Sequence, residues 1–391
     1  MLNGELGDLV ALAMKSIVKV GEVLGAEKLI KIPHVHISGI SYFNIGDHGL
    51  ELIEMFNRTG IKFRTFTTAN PYAVIDEDFQ GSKLNKEVVD KQLRIIDALK
   101  TMGAKAFTCT PYYIRRPKFN EHLAWAESNA VLYANSVLGA RTNREGGPLA
   151  LMAAIVGRTY YAGIHVDENI RPCIYVRTIK PNNIAEAGLL GYIIGREAQN
   201  CIPFIQGLKG INESMIKSFL AAFGATSNAA LAILDGITPL KYDIKQAIYR
   251  NLNSSPHVIV GREVIEDELR RVSEDVDKGK VLYIIGCPHL SVHELREIID
   301  IIFRKACRKS NGELWLITYS KRLIPNDTLM KLRRCNVKVL NSVCPVVTKL
   351  KLLNVDLVIT DSMKAIHYIK KLSNVNALLM DRALIIKRFI R

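Results

Sequence analysis

From residue 281 to 380 the chain switches hydrophobic period repeatedly, and this constrains its fold more than any other feature. Short β-rich runs at 281–286, 313–319, 337–343, 355–360 and 375–380 alternate with helical periodicity at 292–305, 328–334 and 365–372. Continuous apolar strands separated by amphipathic helices require a parallel sheet covered on both faces. In the first helix Leu295, Ile298, Ile299 and Ile302 share one face. Ser291-Val-His-Glu294 is a capping-box pattern that starts this helix at about Ser291. Cys287 is then expected in the short loop between a strand end and a helix start, the usual ligand crevice of an open α/β sheet and a place where the helix dipole favours a thiolate.

The remainder reads similarly. An amphipathic helix is expected over 9–23, strands at 35–40, 62–67 and 104–108, and helices at 50–58, 86–101, 122–138 and 148–156. A glycine-rich polar loop spans 139–147. Residues 165–265 read as a smaller α/β unit, with strands at 174–179 and 257–260 and helical runs within 188–206 and 213–234. The expected division is 1–164, 165–265 and 266–391.

Seven cysteines, an odd number without dense spacing, favour a reducing compartment over a disulfide framework. Three share a context. Cys109 ends an apolar run and precedes Thr110-Pro111, Cys287 precedes Pro288, and Cys344 precedes Pro345. Each sits where a strand should stop, with proline blocking further ladder pairing. Thiolates gathered at strand ends can hold a metal cluster with one metal position left open. Iron–sulfur is the preferred reading, with His289 as a possible fourth ligand keeping zinc open. A cysteine at a strand end can equally be a small buried hydrophobe. Cys173, Cys201, Cys307 and Cys335 read as structural residues in strand or helix bodies.

A formal net charge of +15 excludes little. The basic residues are scattered singly and in pairs without a nucleic-acid motif, so nucleic acid is not an expected partner. An anionic small-molecule substrate, an acidic partner surface and a plain solvated surface remain open. No apolar stretch approaches the roughly 18 residues of a membrane span, and no signal-peptide core follows the N-terminus. A cytoplasmic protein without membrane contact is therefore expected.

Polar clusters at strand ends include Ser38-Gly-Ile-Ser41 and Thr67-Thr68-Ala-Asn70. Glu127-Ser128-Asn129 and Asn135-Ser136 lie on a helical stretch where polar residues cost propensity. Arg141 and Arg144, with backbone amides of the 139–147 loop, suit a carboxylate or phosphate. Turns, caps and solvated loops use the same residues.

The run from Glu127-Ser-Asn-Ala-Val-Leu-Tyr-Ala-Asn135 to Arg141-Thr-Asn-Arg-Glu-Gly-Gly147 closely resembles the signature of the aconitase X family. So do His36-Ile-Ser-Gly-Ile-Ser41, Thr67-Thr-Ala-Asn70-Pro, Cys109-Thr-Pro-Tyr and Gly286-Cys-Pro-His-Leu-Ser291. The resemblance covers nearly the whole chain. It implies an α/β, aconitase-like fold with three α/β/α domains around a central cluster cleft, and hydro-lyase (dehydratase) chemistry. It also implies an iron–sulfur cluster, expected as [4Fe-4S], held by Cys109, Cys287 and Cys344 with one iron free of cysteine. Family members need a further small swivelling domain carrying a serine-containing loop that supplies the base. The chain ends at Arg391 without room for it, so a two-chain enzyme with a separate small subunit is expected. Members act on (R)-5-phosphomevalonate in a mevalonate pathway or on cis-3-hydroxy-L-proline; the basic chain suits the phosphorylated acid. By the same resemblance Ser41, Thr68, Asn70, Ser128, Asn135, Arg141, Thr142, Asn143 and Arg144 are expected to orient substrate. Glu127 and His289 are expected to handle protons or tune the metal site. A non-catalytic basic binding protein is the alternative of another class.

Overall fold

The computed structural model describes residues 1–75, 84–252, 257–273, 279–305 and 312–390. The first part contains α1 (Asp8–Val23), β1 (Leu29–Lys31), β2 (His34–Ile37), α2 (Tyr42–Arg58), β3 (Phe66–Ala69), α3 (Lys86–Met102), β4 (Ala124–Trp125), α4 (Ser128–Ser136), α5 (Gly147–Val156) and β5 (Arg158–Tyr160). Then come β6 (Ile174–Thr178), α6 (Ile184–Ala198), β7 (Pro203–Gln206), α7 (Glu213–Thr226), β8 (Ile233–Leu234), α8 (Tyr242–Asn251), β9 (His257–Val260) and α9 (Arg262–Ser273). The last part holds β10 (Val281–Leu290), α10 (Val292–Arg304), β11 (Glu313–Thr318), α11 (Asn326–Arg334), β12 (Val337–Asn341), β13 (Leu357–Thr360), α12 (Met363–Ser373), β14 (Asn376–Leu379) and α13 (Arg382–Ile390).

Three parallel sheets result, in the orders β3-β2-β4, β8-β7-β6-β9 and β12-β11-β10-β13-β14, with an antiparallel β1–β5 pair beside the first. The alternation in the last third thus gives the parallel sheet it implied. Leu295, Ile298, Ile299 and Ile302 are buried on one face of α10. The capping box forms as read: Ser291 Oγ accepts from the Glu294 amide at 3.1 Å, and the Ser291 amide donates to Glu294 Oε2 at 2.9 Å.

Several elements differ from expectation. The stretch 122–138 is not one helix, because Leu123–Ala126 is buried throughout and supplies β4, with α4 starting only at Ser128. A strand buried on both faces has no polar alternation, so its periodicity cannot separate it from a buried helix. The helical runs expected within 188–206 and 213–234 are present as α6 and α7, while β7 and β8, which follow them, were, for the same reason, not expected. Strand 104–108 is reduced to one bridge between Phe107 and Ala69. Cys287 lies within β10 rather than after it, the extended run continuing to Leu290 past a register shift.

Cys173 and Cys201, expected as structural residues in strand or helix bodies, lie instead just ahead of β6 and β7 and form a disulfide. The parallel register pairs Ile174 with Pro203, so the residues entering β6 and β7 lie side by side, their Cα atoms 6.0 Å apart. Cys307 lies outside the described residues.

One hydrophobic cluster runs from Trp125 and Leu132 through Phe219 and Phe223 to Trp315 and Ile366, joining elements of all three sheets. Close helix packing helps: a Cβ on Gly191 of α6 would lie 2.1 Å from the Phe219 carbonyl of α7. Direct backbone bonds also tie the first sheet to the third. The Tyr72 amide donates to Ser342 O at 3.0 Å, and the Cys344 amide donates to Tyr72 O at 2.8 Å. The Val74 amide donates to Thr348 Oγ1 at 3.0 Å, whose hydroxyl donates to Cys344 O at 2.7 Å. Among the described residues no helix is long and apolar enough to cross a membrane.

Candidate functional site

The free cysteines among the described residues are Cys109, Cys287 and Cys344. Cys109 follows the Phe107 bridge; its carbonyl accepts from Asn129 Nδ2 at 2.7 Å and its sulfur from the His289 amide at 3.3 Å. Cys287 sits in β10, where the Ser362 hydroxyl ahead of α12 acts to lower its thiol. Cys344 lies in the turn after β12, where the Val347 amide acts to lower its thiol. Burial pushes all three thiols up, Cys344 to about 12, and the charge of Cys287 acts in the same sense on the other two. The three sulfurs therefore share one electrostatic environment. The Lys364 ammonium opposes the rise at each of them.

Among the described residues no set of three or more His, Cys, Asp or Glu side chains closes on a single metal ion. Three partly buried, unpaired thiols that act on one another, with a buried ammonium among their neighbours, are a donor set suited to a sulfur-bridged iron cluster, which is wider than one ion. His289 is poorly placed as a zinc ligand. Its Nε2 lies 2.8 Å from Val343 O and Nδ1 3.0 Å from Thr108 Oγ1. A carbonyl only accepts, so Nε2 carries the proton and Nδ1 accepts from the threonine. Burial holds this imidazole down at about 4, hence neutral. With its amide on Cys109 and its ring on the residue before Cys344, His289 braces two of the three cysteines.

Beside the thiols a buried chain of hydrogen bonds has one possible direction. Glu127 Oε2 accepts from Asn70 Nδ2 at 2.7 Å. This orients the amide so that Asn70 Oδ1 accepts from His36 Nε2, at 2.8 Å. His36 Nδ1 is then an acceptor and takes the Thr68 hydroxyl proton at 2.8 Å, and Thr68 Oγ1 accepts from His34 Nε2 at 3.0 Å. Parallel pairing of β2 with β3 sets His36 opposite Thr68 and makes the chain possible. Burial holds His36 down at about 4, so it is the neutral ring this pattern needs. Every donor points toward Glu127.

Glu127 occupies the N-cap position of α4, yet its side chain does not cap that helix. Oε1 instead accepts from Lys364 Nζ at 2.5 Å, with the Ser128 hydroxyl at 3.5 Å. Burial alone would raise this carboxyl, but Lys364 and Asn70 outweigh it and hold the group at about 2. Lys364 also donates to Asn129 Oδ1 at 2.9 Å, linking the chain to the Cys109 carbonyl. Behind Cys287 a buried ionic group joins Lys217, Glu294, Arg382 and Asp361, with Lys217 Nζ also 3.1 Å from the His289 carbonyl. Arg382 thereby fixes the turn through Asp361 and Ser362 that leads into α12 and Lys364.

Thr68, Asn70, Glu127, Ser128, Cys109, Cys287, Cys344 and His289 thus come together. Ser41 caps α2 by position, and its buried hydroxyl has no partner in the structure. Its loop packs on the glycine-rich loop: a Cβ on Gly147 would stand 2.5 Å from Ser38 O. The other expected residues have their polar groups committed elsewhere. Asn135 exchanges bonds of 3.0 and 2.8 Å with the Thr142 backbone and reaches Ala230 O at 2.7 Å. The Thr142 hydroxyl accepts from the Trp125 amide at 2.9 Å and donates to Asn143 O at 2.9 Å. Arg141 pairs with Asn120 and Asp167, Asn143 with Ala162 and Ile164, and Arg144 with the Ser227 and Gly224 carbonyls. None of these five shares a hydrogen bond with the Glu127 chain.

Lys364, His36 and Asn129 received no role from the sequence. For Lys364 the signal was present: Asp361-Ser-Met-Lys364 is another polar cluster at a strand end, and a lysine in a helix's first turn opposes the helix dipole.

Comparison with known proteins agrees over the full length. Family models described as aconitase X first, second and third domain match residues 1–168, 164–270 and 281–391. The phosphomevalonate dehydratase large subunit of Thermococcus kodakarensis is 37% identical over 305 residues, covering 77% of this chain and 75% of that protein. That of Methanocaldococcus jannaschii is 35% identical over 395 residues, covering 94% and 93%. A cis-3-hydroxy-L-proline dehydratase of Pseudomonas aeruginosa is 30% identical over 330 residues, covering 83% of this chain and 56% of that protein. The crystal structure of Thermococcus kodakaraensis aconitase X in its holo-form superposes with a TM-score of 0.89 at 33% identity, covering 99% of this chain and 97% of that one.

Proposed function

The chain belongs to the aconitase X family, and from that premise we propose that it is the large subunit of an iron–sulfur hydro-lyase converting (R)-5-phosphomevalonate to trans-anhydromevalonate 5-phosphate. The observation that carries this reading is near end-to-end similarity to archaeal chains named phosphomevalonate dehydratase large subunit. The Methanocaldococcus jannaschii and Aeropyrum pernix proteins each match over 93% of their own length. The hydroxyproline enzymes are matched over 56% and 51% of theirs.

Cys109, Cys287 and Cys344 would hold the cluster, expected as [4Fe-4S]. When bound, it supplies a Lewis-acidic iron with a position not held by cysteine, where a tertiary hydroxyl can be drawn off as water. The protein residues prepare the surroundings. Glu127, ionised and pinned by Lys364 and Asn70, is too weak a base to take a carbon-bound proton. It presents a fixed negative edge that orients hydroxyl groups, together with Ser128. Ser41 offers an uncommitted buried hydroxyl as a donor to the substrate. His289, closed on both ring nitrogens, positions two cysteines and moves no proton. The base that removes the proton beside the carboxylate comes from the small subunit's swivelling domain.

The test is anaerobic co-purification with the small subunit, iron and sulfide analysis, and an activity assay comparing 5-phosphomevalonate with cis-3-hydroxy-L-proline. Stoichiometric iron and sulfide and turnover of the phosphorylated acid are expected, with Cys109→Ser, Cys287→Ser or Cys344→Ser each abolishing visible absorbance and activity. Turnover of hydroxyproline alone would reassign the substrate. A colourless protein holding neither iron nor sulfide would reject the metal reading.

A further inference from the structure

Lys364 stands out among the buried groups, since the proposed reaction uses it only to pin Glu127. It lies in the first turn of α12, where a cation opposes the helix dipole, and only 9% of it is exposed. Burying an ammonium is costly unless it is paired, so its surroundings must compensate it. Glu127 and Asn129 take two of its three N–H donors. The third has no hydrogen-bond acceptor among the described residues. The ammonium also lies one side chain from the cysteines: Asn129, which accepts from it at 2.9 Å, donates to the Cys109 carbonyl at 2.7 Å, and α12 follows directly on β13, the parallel neighbour of the β10 strand that carries Cys287. One carboxylate therefore neutralises it, and its remaining donor is uncommitted beside the segments that carry Cys109 and Cys287.

We propose that Lys364 is the buried counter-cation of the cluster, a positioning residue whose charge, held in place by Glu127 and Asn129, sets the cluster's reduction potential. This rests on the iron–sulfur reading above. Three thiolates around a cluster give the centre excess negative charge, and adding an electron increases it. A fixed cation nearby stabilises the reduced form more than the oxidised form, and a fixed anion does the reverse. Opposite shifts are thus expected from the two members of one ion pair.

The experiment is a redox titration of the anaerobically reconstituted two-subunit complex, followed by visible absorbance and electron paramagnetic resonance. Lys364→Gln should move the potential to more negative values, Glu127→Gln to more positive values, and Lys364→Arg should stay much nearer the wild type than Lys364→Gln. A wild-type potential in Lys364→Gln with its cluster retained would overturn the proposal. If Lys364→Gln cannot hold iron, Glu127→Gln decides: an unchanged or more negative potential there would also overturn it. Absence of a cluster from the wild-type complex would instead be a failure of the iron–sulfur reading itself.

Discussion

Thr68 and Thr67 are adjacent, both fully buried on β3, and differ in what their hydroxyls do. Thr68 Oγ1 joins two buried imidazoles, accepting from His34 and donating to His36. Thr67 Oγ1 donates to Thr65 O at 3.0 Å, a local bond. Valine keeps the branched shape and removes the hydroxyl. In Thr68→Val, His34 Nε2–H and His36 Nδ1 both lose their partner inside the protein. A ring flip or tautomer change does not relieve His36, because its Nε2 must still donate to Asn70. At about 1–3 kcal/mol for each buried polar group left unmade, the cost is about 2–6 kcal/mol. Thr67→Val removes one ordinary bond, worth about 1 kcal/mol. The assay is urea unfolding read by Trp125 fluorescence, in a Trp315→Phe background that silences the second tryptophan. Trp125 is a local reporter, its ring centroid 5.0 Å from that of His34 and 6.1 Å from that of His36. Equal destabilisation by the two substitutions would refute the directional chain.

Other outcomes follow from the same contacts. His36 is held at about 4 against an ordinary 6.5, so its neutral form belongs to the fold. Its stabilisation is complete above pH 6.5 and is lost as pH falls toward 4, amounting to about 3 kcal/mol. Thermal unfolding midpoints across that window should fall with acid, and a flat profile would contradict the burial argument. Arg144→Ala frees two carbonyls at the end of α7, bonded at 2.6 and 2.9 Å. A loss of about 2 kcal/mol is expected, seen as faster hydrogen exchange in the last turn of α7. Cys173→Ser opens a bridge of sequence separation 28. It should cost about 3 kcal/mol under oxidising conditions and nothing once the wild type is fully reduced.

The last sheet was legible because its strands and helices differ in period and its first helix announces its start at Ser291. β4, β7 and β8 were not legible, since strands of two to four buried residues abut helices equally rich in apolar side chains. The three cysteines could be singled out because an apolar run ending in cysteine with proline close behind is a local signal, although Cys287 proves to lie inside β10. Lys364 could not be paired with Glu127, since the two are 237 residues apart and meet only when α12 and α4 both pack on α7. Arg141, Asn143 and Arg144 show the converse. Charged and amide side chains in a glycine-rich loop suggest a waiting anion, and the sequence does not reveal the carbonyls and the carboxylate that already occupy them.

The sulfurs come from different places in the architecture: Cys109 from the first sheet, Cys287 and Cys344 from the third. No single unit presents the full trio. On the iron–sulfur reading proposed above, biogenesis would have an order, because the body would have to dock before iron could be received. A maturation factor would have to load a finished, docked body rather than a nascent chain. An apo form should keep its shape, unlike small domains that collapse once their metal is stripped away.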